Sequence, residues 1–353
     1  MKNKKGLLIG LAVMLVVVGI ISVMSVRAAG GRERGGKVVF AVGGTVELRN
    51  TIELPLSEVG ALDVAYTSRS IQVYPTTGDT IVIKEYLLQE HKDGLATVTY
   101  EEMTGDASGR KKAVVKGNQD NVITVFGFNG GNERIEIYLP ETGLDSLHIQ
   151  SGSGSVKAQD GFRLETGELQ ITTASGSIRW YATKAERMRV QAKSGSIKLS
   201  DIEADLEVEA GSGRIELENY RGRAALATGS GSVKMENCVG PISLATGSGS
   251  VSVENLEGCG GFATGSGSIK VEMTKVTGDV SLSSGSGSVK LTLPKDLSFT
   301  LEAKSGSGSI DTDFDEALSY NKKGNEVSGV VGDAPTCTVT VETKSGMIDI
   351  TAD

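Results

Sequence analysis

Asp311, Asp313 and Asp315 alternate with Thr312 and Phe314, so on an extended strand the three carboxylates share one face. That donor set suits a hard cation such as Ca²⁺. An EF-hand loop would also need Gly sixth and Glu twelfth, where Glu316 and Lys322 stand, so a solvated acidic edge is the simpler reading. Glu218, Glu236, Glu254 and Glu272 recur every eighteen residues, with Lys234 and Lys270 two positions before Glu236 and Glu272. Stacked carboxylates repel one another. The lysines or bound cations must relieve that repulsion. The column is therefore a candidate binding ladder for a cation or polysaccharide, against the plainer reading of a solvated face that blocks aggregation.

Other residues offer less chemistry. His91 falls at a hairpin tip, and His148 lies between Leu147 and Ile149, where alternation points it outward. The many Ser-Gly-Ser segments lack the Gly-x-Ser-x-Gly elbow of a nucleophile and the Gly-Lys-Ser/Thr ending of a phosphate loop. Leu139-Pro140-Glu141-Thr142-Gly143 spells a sortase pentapeptide, but a solenoid coil follows it rather than an apolar tail with a basic end. It reads as a strand running into a turn. No catalytic residue, cofactor-binding residue or metal centre is expected beyond the three aspartates.

The elements that carry these residues repeat. Gly-Ser-(Val/Ile) recurs at Val156, Ile178, Ile197, Val233, Val251, Ile269, Val289 and Ile310, with variants at Ile215 and Ile348. Most gaps are 18–22 residues, too short for a helix pair or a propeller blade and suited to one coil of a β-solenoid. The anchor and the residue two places on are apolar, as in Val233/Met235 and Val251/Val253, while their neighbours are polar. That alternation marks a strand with one buried face. A second short strand follows, as in Leu206-Glu207-Val208 and Ile242-Ser243-Leu244. Coils stacked at ~4.8 Å bring equivalent residues into vertical columns. Asn219, Asn237 and Asn255 then form an amide ladder, and Ser212, Ser230, Ser248 and Ser266 a hydroxyl column. Ten coils are expected.

The chain has 353 residues, of which 47 are Gly and 6 Pro, with 39% hydrophobic content. No Gly-X-Y period occurs, so collagen is excluded. The hydrophobic share is too high for a disordered chain. The net charge is −8; residues 1–34 hold six basic side chains against one Glu, which leaves −13 on the rest. So acidic a body speaks against nucleic acid as a partner. Gly6–Val26 is an uncharged run of 21 residues behind Lys2, Lys4 and Lys5. As a helix it would span the ~30 Å hydrocarbon layer, with the N-terminus cytoplasmic and the body outside. The alternative is a signal peptide cleaved near Ala28 and a secreted body.

The expected organisation is a cytoplasmic tail (1–5), a transmembrane anchor (6–26), a flexible stalk (27–37), an irregular β cap with hairpins (38–130) and a regular solenoid (131–353). In the cap, Thr80 to Gln89 and Leu95 to Glu101 flank His91-Lys92-Asp93-Gly94 as a hairpin, and Ile135 begins the first coil. Thr338 to Asp349 is expected to close the stack. Cys238 and Cys259 sit on adjacent coils but three positions out of register. A bond between them and two buried free thiols are both open.

The serial segments Ser151–Val156, Thr246–Val253, Thr264–Val271 and Lys344–Ile350, behind an apolar N-terminus, resemble the putative-adhesin β-strand-repeat family of bacterial envelope proteins. The resemblance implies an all-β surface or envelope protein and carries over no catalytic residue. The expected function is a non-enzymatic, membrane-tethered module that presents Ser, Thr, Glu and Lys ladders to cell-wall or surface glycan or to another copy of itself. An alternative is an envelope-stress regulatory component acting beside membrane signalling proteins. A lesser one is a β-helix polysaccharide lyase or hydrolase, which would need a charged catalytic cluster and an aromatic-lined groove. Trp180 and Tyr181 are the only adjacent aromatic pair in the repeats.

Overall fold

The computed structural model describes residues 37–39, 45–88, 95–103, 108–117, 122–124, 133–314 and 318–353. The anchor or signal segment 6–26, His91 and Asp315 lie outside the described residues. Lys37–Val39 and Val122–Thr124 pair in parallel and belong to a small separate unit. Everything below concerns the main unit, residues 43–120 and 129–353. Its described elements are all strands.

The coil follows from alternation interrupted at fixed places. In Val233–Thr246 the side chains of Val233, Met235, Cys238, Ile242 and Leu244 point inward and are each at most 2% exposed. Lys234, Asn237 and Ser243 point out. Alternation must skip a place after the fourth residue, because both Met235 and Cys238 are buried. The skip is made at Asn237, whose φ is +55°. The same position carries Asp201, Asn219 and Asn255 at φ +56°, +53° and +55°. Asn and Asp enter this left-handed region more readily than other side chains, because their short polar groups bond locally. Ala182 takes the same turn at φ +51° without that advantage.

Coils stack in parallel, and from Ile197 to Thr264 the register runs residue for residue. Val233 pairs with Ile215 on one side and Val251 on the other, and Leu244 lies between Leu226 and Phe262. Each coil so buries four or five apolar side chains against the next. Full burial of one is worth roughly 1.5–3 kcal/mol. The inner columns merge into one continuous core running from Leu54 to Ile350.

The Gly-Ser-Gly-Ser corner sets how closely coils approach. A Cβ at Gly249 would overlap the carbonyl oxygen of Gly231, and one at Gly231 would overlap that of Gly213. Glycine stands there because the backbone of the preceding coil already fills the space.

The ends differ from expectation. Val59–Tyr66 and Ser70–Thr76 are a coil of the stack, although the sequence reading leaves them in an irregular cap. That coil lies between the one begun at Ser146–Ser151 and a layer made by Lys111–Lys116 and Arg134–Pro140. Ile135 does stand in the anchor column, but in the outermost parallel layer, beyond the coil of Val59–Tyr66 and Ser70–Thr76. The two strands expected as a hairpin do not pair with each other. Thr80–Leu88 runs antiparallel to Val46–Pro55 and to Arg134–Pro140, while Thr97–Glu102 runs antiparallel to Lys111–Lys116.

The other end mirrors this. Thr338–Ser345 does not close the stack but inserts between Val280–Ser284 and Phe299–Ser307. Ile348 likewise lies between Val289 and Ile310. In the outermost coil, from Phe299 to Thr312, the strand Phe299–Ser307 is covered by antiparallel Glu326–Val331. Antiparallel strands thus lie over both strands of the outermost layer at the first end and over Phe299–Ser307 at the other, where they interrupt the parallel order. Following the anchor columns, twelve parallel layers stand among the described residues, two more than the ten Gly-Ser anchors.

Gly249→Ala should lower stability by about 2–3 kcal/mol, as overpacking against fixed backbone does. Gly78→Ala, whose added Cβ meets nothing nearer than 3.8 Å, should leave the melting temperature within about a degree. Thermal unfolding followed by circular dichroism checks both. Equal melting temperatures for the two variants would contradict the close approach.

Candidate binding faces

The outward rows are built by register. Glu218, Glu236 and Glu254 stand directly over one another. Each has a lysine. Lys198 Nζ is 2.8 Å from Glu218 and 3.6 Å from Glu216, Lys234 is 3.2 Å from Glu236, and Lys270 is 3.6 Å from Glu254. The Glu218 and Glu236 hydrogen bonds raise the pKa of Lys198 and Lys234 above the ordinary lysine value. Pairing shifts after Val253↔Val271, so Glu254 and Glu272 are not register partners, and on its other side Glu272 stands opposite Thr292. The carboxylates are thus neutralised by the protein's own lysines, in exposed pairs worth little individually.

At the left-handed corner the amides form a chain of bonds. Asn255 Nδ2 donates to Asn237 Oδ1 at 2.9 Å, Asn237 donates to Asn219 at 3.1 Å, and Asn219 donates to Asp201 at 3.0 Å. Asp201 ends the ladder because a carboxylate only accepts. Ser212, Ser230, Ser248 and Ser266 lie exposed at the opposite corner, and the bonding between coils there runs through backbone groups, as from Ser230 N–H to Gly211 O.

The inter-coil hydroxyl ladder belongs to a different residue. Thr228, Thr246 and Thr264 are buried five places before their anchors. Thr246 Oγ1 donates to Gly231 O at 3.0 Å and accepts from Gly249 N–H at 3.1 Å; Thr264 repeats this with Gly249 and Gly267. Ser284 takes the same place with Gly267 O and Gly287 N–H. The repeated Ala-Thr-Gly-Ser-Gly-Ser phrase carries that signal.

The other candidates are dispersed. Asp311 stacks on Asp349, which pairs with Lys290 at 2.7 Å, and Asp313 accepts the Ala352 N–H at 3.0 Å. Among the described residues no group of three His, Cys, Asp or Glu side chains is placed to hold a metal. His148 does face outward but is held, with Nδ1 3.0 Å from Asp63, whose other oxygen takes Lys112. Asp63 is far away in sequence, so no local pattern could reveal the pair. Trp180 is fully buried, edge-on to Phe162, and donates to Thr183 at 2.8 Å. Tyr181 donates to Ala158 O at 2.9 Å, and burial together with Asp160 pushes its pKa up to about 12. The sortase-like pentapeptide starts inside Arg134–Pro140 and ends at Gly143, φ +107°.

All three cysteines are free. Cys238 faces Tyr220 and Leu256 across the stack, whereas Cys259 faces Pro241, so the two thiols are in different columns. Burial pushes the Cys238 thiol up to about 11.

Two outcomes follow. Asn237→Ala should cost about 1–2 kcal/mol, because it loses the ladder and holds alanine in the left-handed region; Asn237→Gly should cost less. Denaturation of both variants tests this, and equal losses would contradict it. At pH 8 a thiol reagent should modify the half-buried Cys259 first and leave Cys238 untouched until unfolding, since only thiolate reacts. Mass spectrometry of the labelled peptides reads the order, and early labelling of Cys238 would contradict its burial.

The family model described as Toastrack DUF4097 matches residues 61–240 and again 239–351. No curated protein matches. Three solved structures are similar. A putative adhesin from Parabacteroides distasonis is 10% identical, with 89% of this chain and all of that chain covered at a TM-score of 0.44. A putative adhesin from Bacteroides fragilis is 14% identical, covering 85% and 96% at 0.35. A putative cell adhesion protein from Clostridium sporogenes is 10% identical, covering 88% and 100% at 0.23. With its coil stack matched from the first inserted coil to the last, the chain belongs to the Toastrack DUF4097 family.

Proposed function

We propose that this protein is a non-enzymatic binding module of the cell envelope, tethered by residues 6–26 with its body outside the membrane. One observation carries the reading: outward side chains repeat in register over successive coils, as Glu218, Glu236 and Glu254 do. A partner that itself repeats can meet such rows many times over. Weak contacts then add through high effective concentration. Cell-wall or surface glycan, or a second copy of the chain, has that property. The polar side chains on these rows serve ion pairs and ladders instead of converging on one reacting centre. The uncharged run ahead of the body supplies the tether.

The full chain, purified in nonionic detergent, should co-sediment with isolated cell-envelope material above the level of an unrelated β-solenoid. Equal retention of the two would overturn a binding role. A deletion that altered envelope-stress gene expression while leaving surface attachment unchanged would favour the regulatory alternative.

A further inference from the structure

Residues 157–198 reverse the charge of the body around them: they hold eight Lys and Arg against four Asp and Glu, within a chain that is −13 beyond residue 34. Register collects three of these cations in single file. Lys157, Arg179 and Lys198 occupy the same outward place on successive coils. Neighbouring strands lie ~4.8 Å apart, so the file is about 10 Å long. Beside it runs a second file, Ser155, Ser177 and Ser196, two residues earlier on the same face. Together they line an open groove of about 650 Å³ that runs across the strands, along the stack.

The groove has unspent bonding capacity. Among the described residues Lys157 and Arg179 make no ion pair, while Lys198 is steadied by Glu218 and Glu216 at the far end. Ser155 accepts the Ser177 N–H at 3.3 Å, and its hydroxyl hydrogen can still be donated to an acceptor in the groove. Arg214 lines the groove beyond Lys198 and is tied to Glu216 at 3.4 Å, so the row ends in acid.

We propose that this groove binds a linear carboxylated polysaccharide laid along the stack, with successive uronate carboxylates on Lys157, Arg179 and Lys198. This rests on the envelope-binding reading and names its ligand class. Width argues for a thread. A membrane surface or a nucleic-acid duplex needs a broad basic face, and here the cations stand in one file bounded by Glu216 and Glu218. Repeat argues for a glycan, because one carboxylate per ring places a charge at each coil. The Arg179 fork suits a planar carboxylate, and the serine hydroxyls suit ring hydroxyls between the charges. The reversed local charge draws a polyanion to this part of an otherwise repelling surface.

Titration calorimetry of the full chain in nonionic detergent with oligogalacturonate tests the assignment. The K157Q/R179Q/K198Q variant should bind about ten-fold or more weakly. The K184Q/R187Q/K193Q variant, which removes the same charge from exposed places elsewhere on these coils, should bind like wild type. Added salt should weaken wild-type binding. Equal loss in both variants, no binding, or tighter binding of inorganic polyphosphate than of oligogalacturonate would overturn it. Envelope co-sedimentation of the same variants separates the two readings. Retention and uronate binding both unaffected by the row substitutions sink the uronate groove alone. Row-dependent uronate binding without envelope retention supports the groove and sinks the envelope role.

Discussion

The structure depends on how near one coil's backbone comes to the next at the glycine corner. Gly213, Gly231, Gly249 and Gly267 each sit where a side chain would overlap the carbonyl of the glycine one coil before. That approach lets Thr228, Thr246 and Thr264 reach across with a hydroxyl and join two coils inside the core. On the opposite corner a single left-handed residue resets alternation so that both flanking strands bury their apolar sides. One corner is fixed by space and the other by dihedral angle. Between them the outward residues fall into straight files along the stack.

The two ends show how a repetitive stack is stopped. The first and the last coil of the chain are not the outer layers; each is inserted one layer in. The outermost layers are then covered by antiparallel strands, Thr80–Leu88 and Thr97–Glu102 at one end and Glu326–Val331 at the other. A parallel coil exposed at an end would offer its amides to any passing strand. Near the first end, fully buried Glu85 takes the Asn50 side-chain amide at 2.7 Å and the Ala96 N–H at 2.8 Å. Burial and this carboxylate push the Tyr66 phenol far above its ordinary value. Polar groups of this kind tie a cap down where the repeat's own columns have run out.

Legibility followed local spacing. The Val233, Val251 and Ile269 anchors announce coils because their period is visible in a single line of sequence. The amide stack of Asn219, Asn237 and Asn255 could be read from that period, but the left-handed turn beneath it could not, because spacing alone does not specify φ. The serine file was easier to see than the threonine file that bonds the coils, since Ser repeats twice per corner and Thr once. The insertions of Ser70–Thr76 and Thr338–Ser345 left no trace, because pairing order is a tertiary choice and each strand keeps the same alternation wherever it docks. The row of Lys157, Arg179 and Lys198 follows the Val156, Ile178 and Ile197 anchors by one place each, so its register was open to the sequence; that Gln72 borders it on the Lys157 side was not, because Gln72 lies on an inserted coil.

Vertical registry is the central claim, and a spin-label ruler measures it most directly. One label at Lys157→Cys would be paired in turn with Lys234→Cys, Lys270→Cys and Lys290→Cys, in a chain whose native cysteines are replaced by serine. The stack places these four, six and seven layers away, so pulsed dipolar distances should centre near ~19, ~29 and ~34 Å. Distances that fail to grow with layer number, or that scatter broadly for every pair, would contradict the registry.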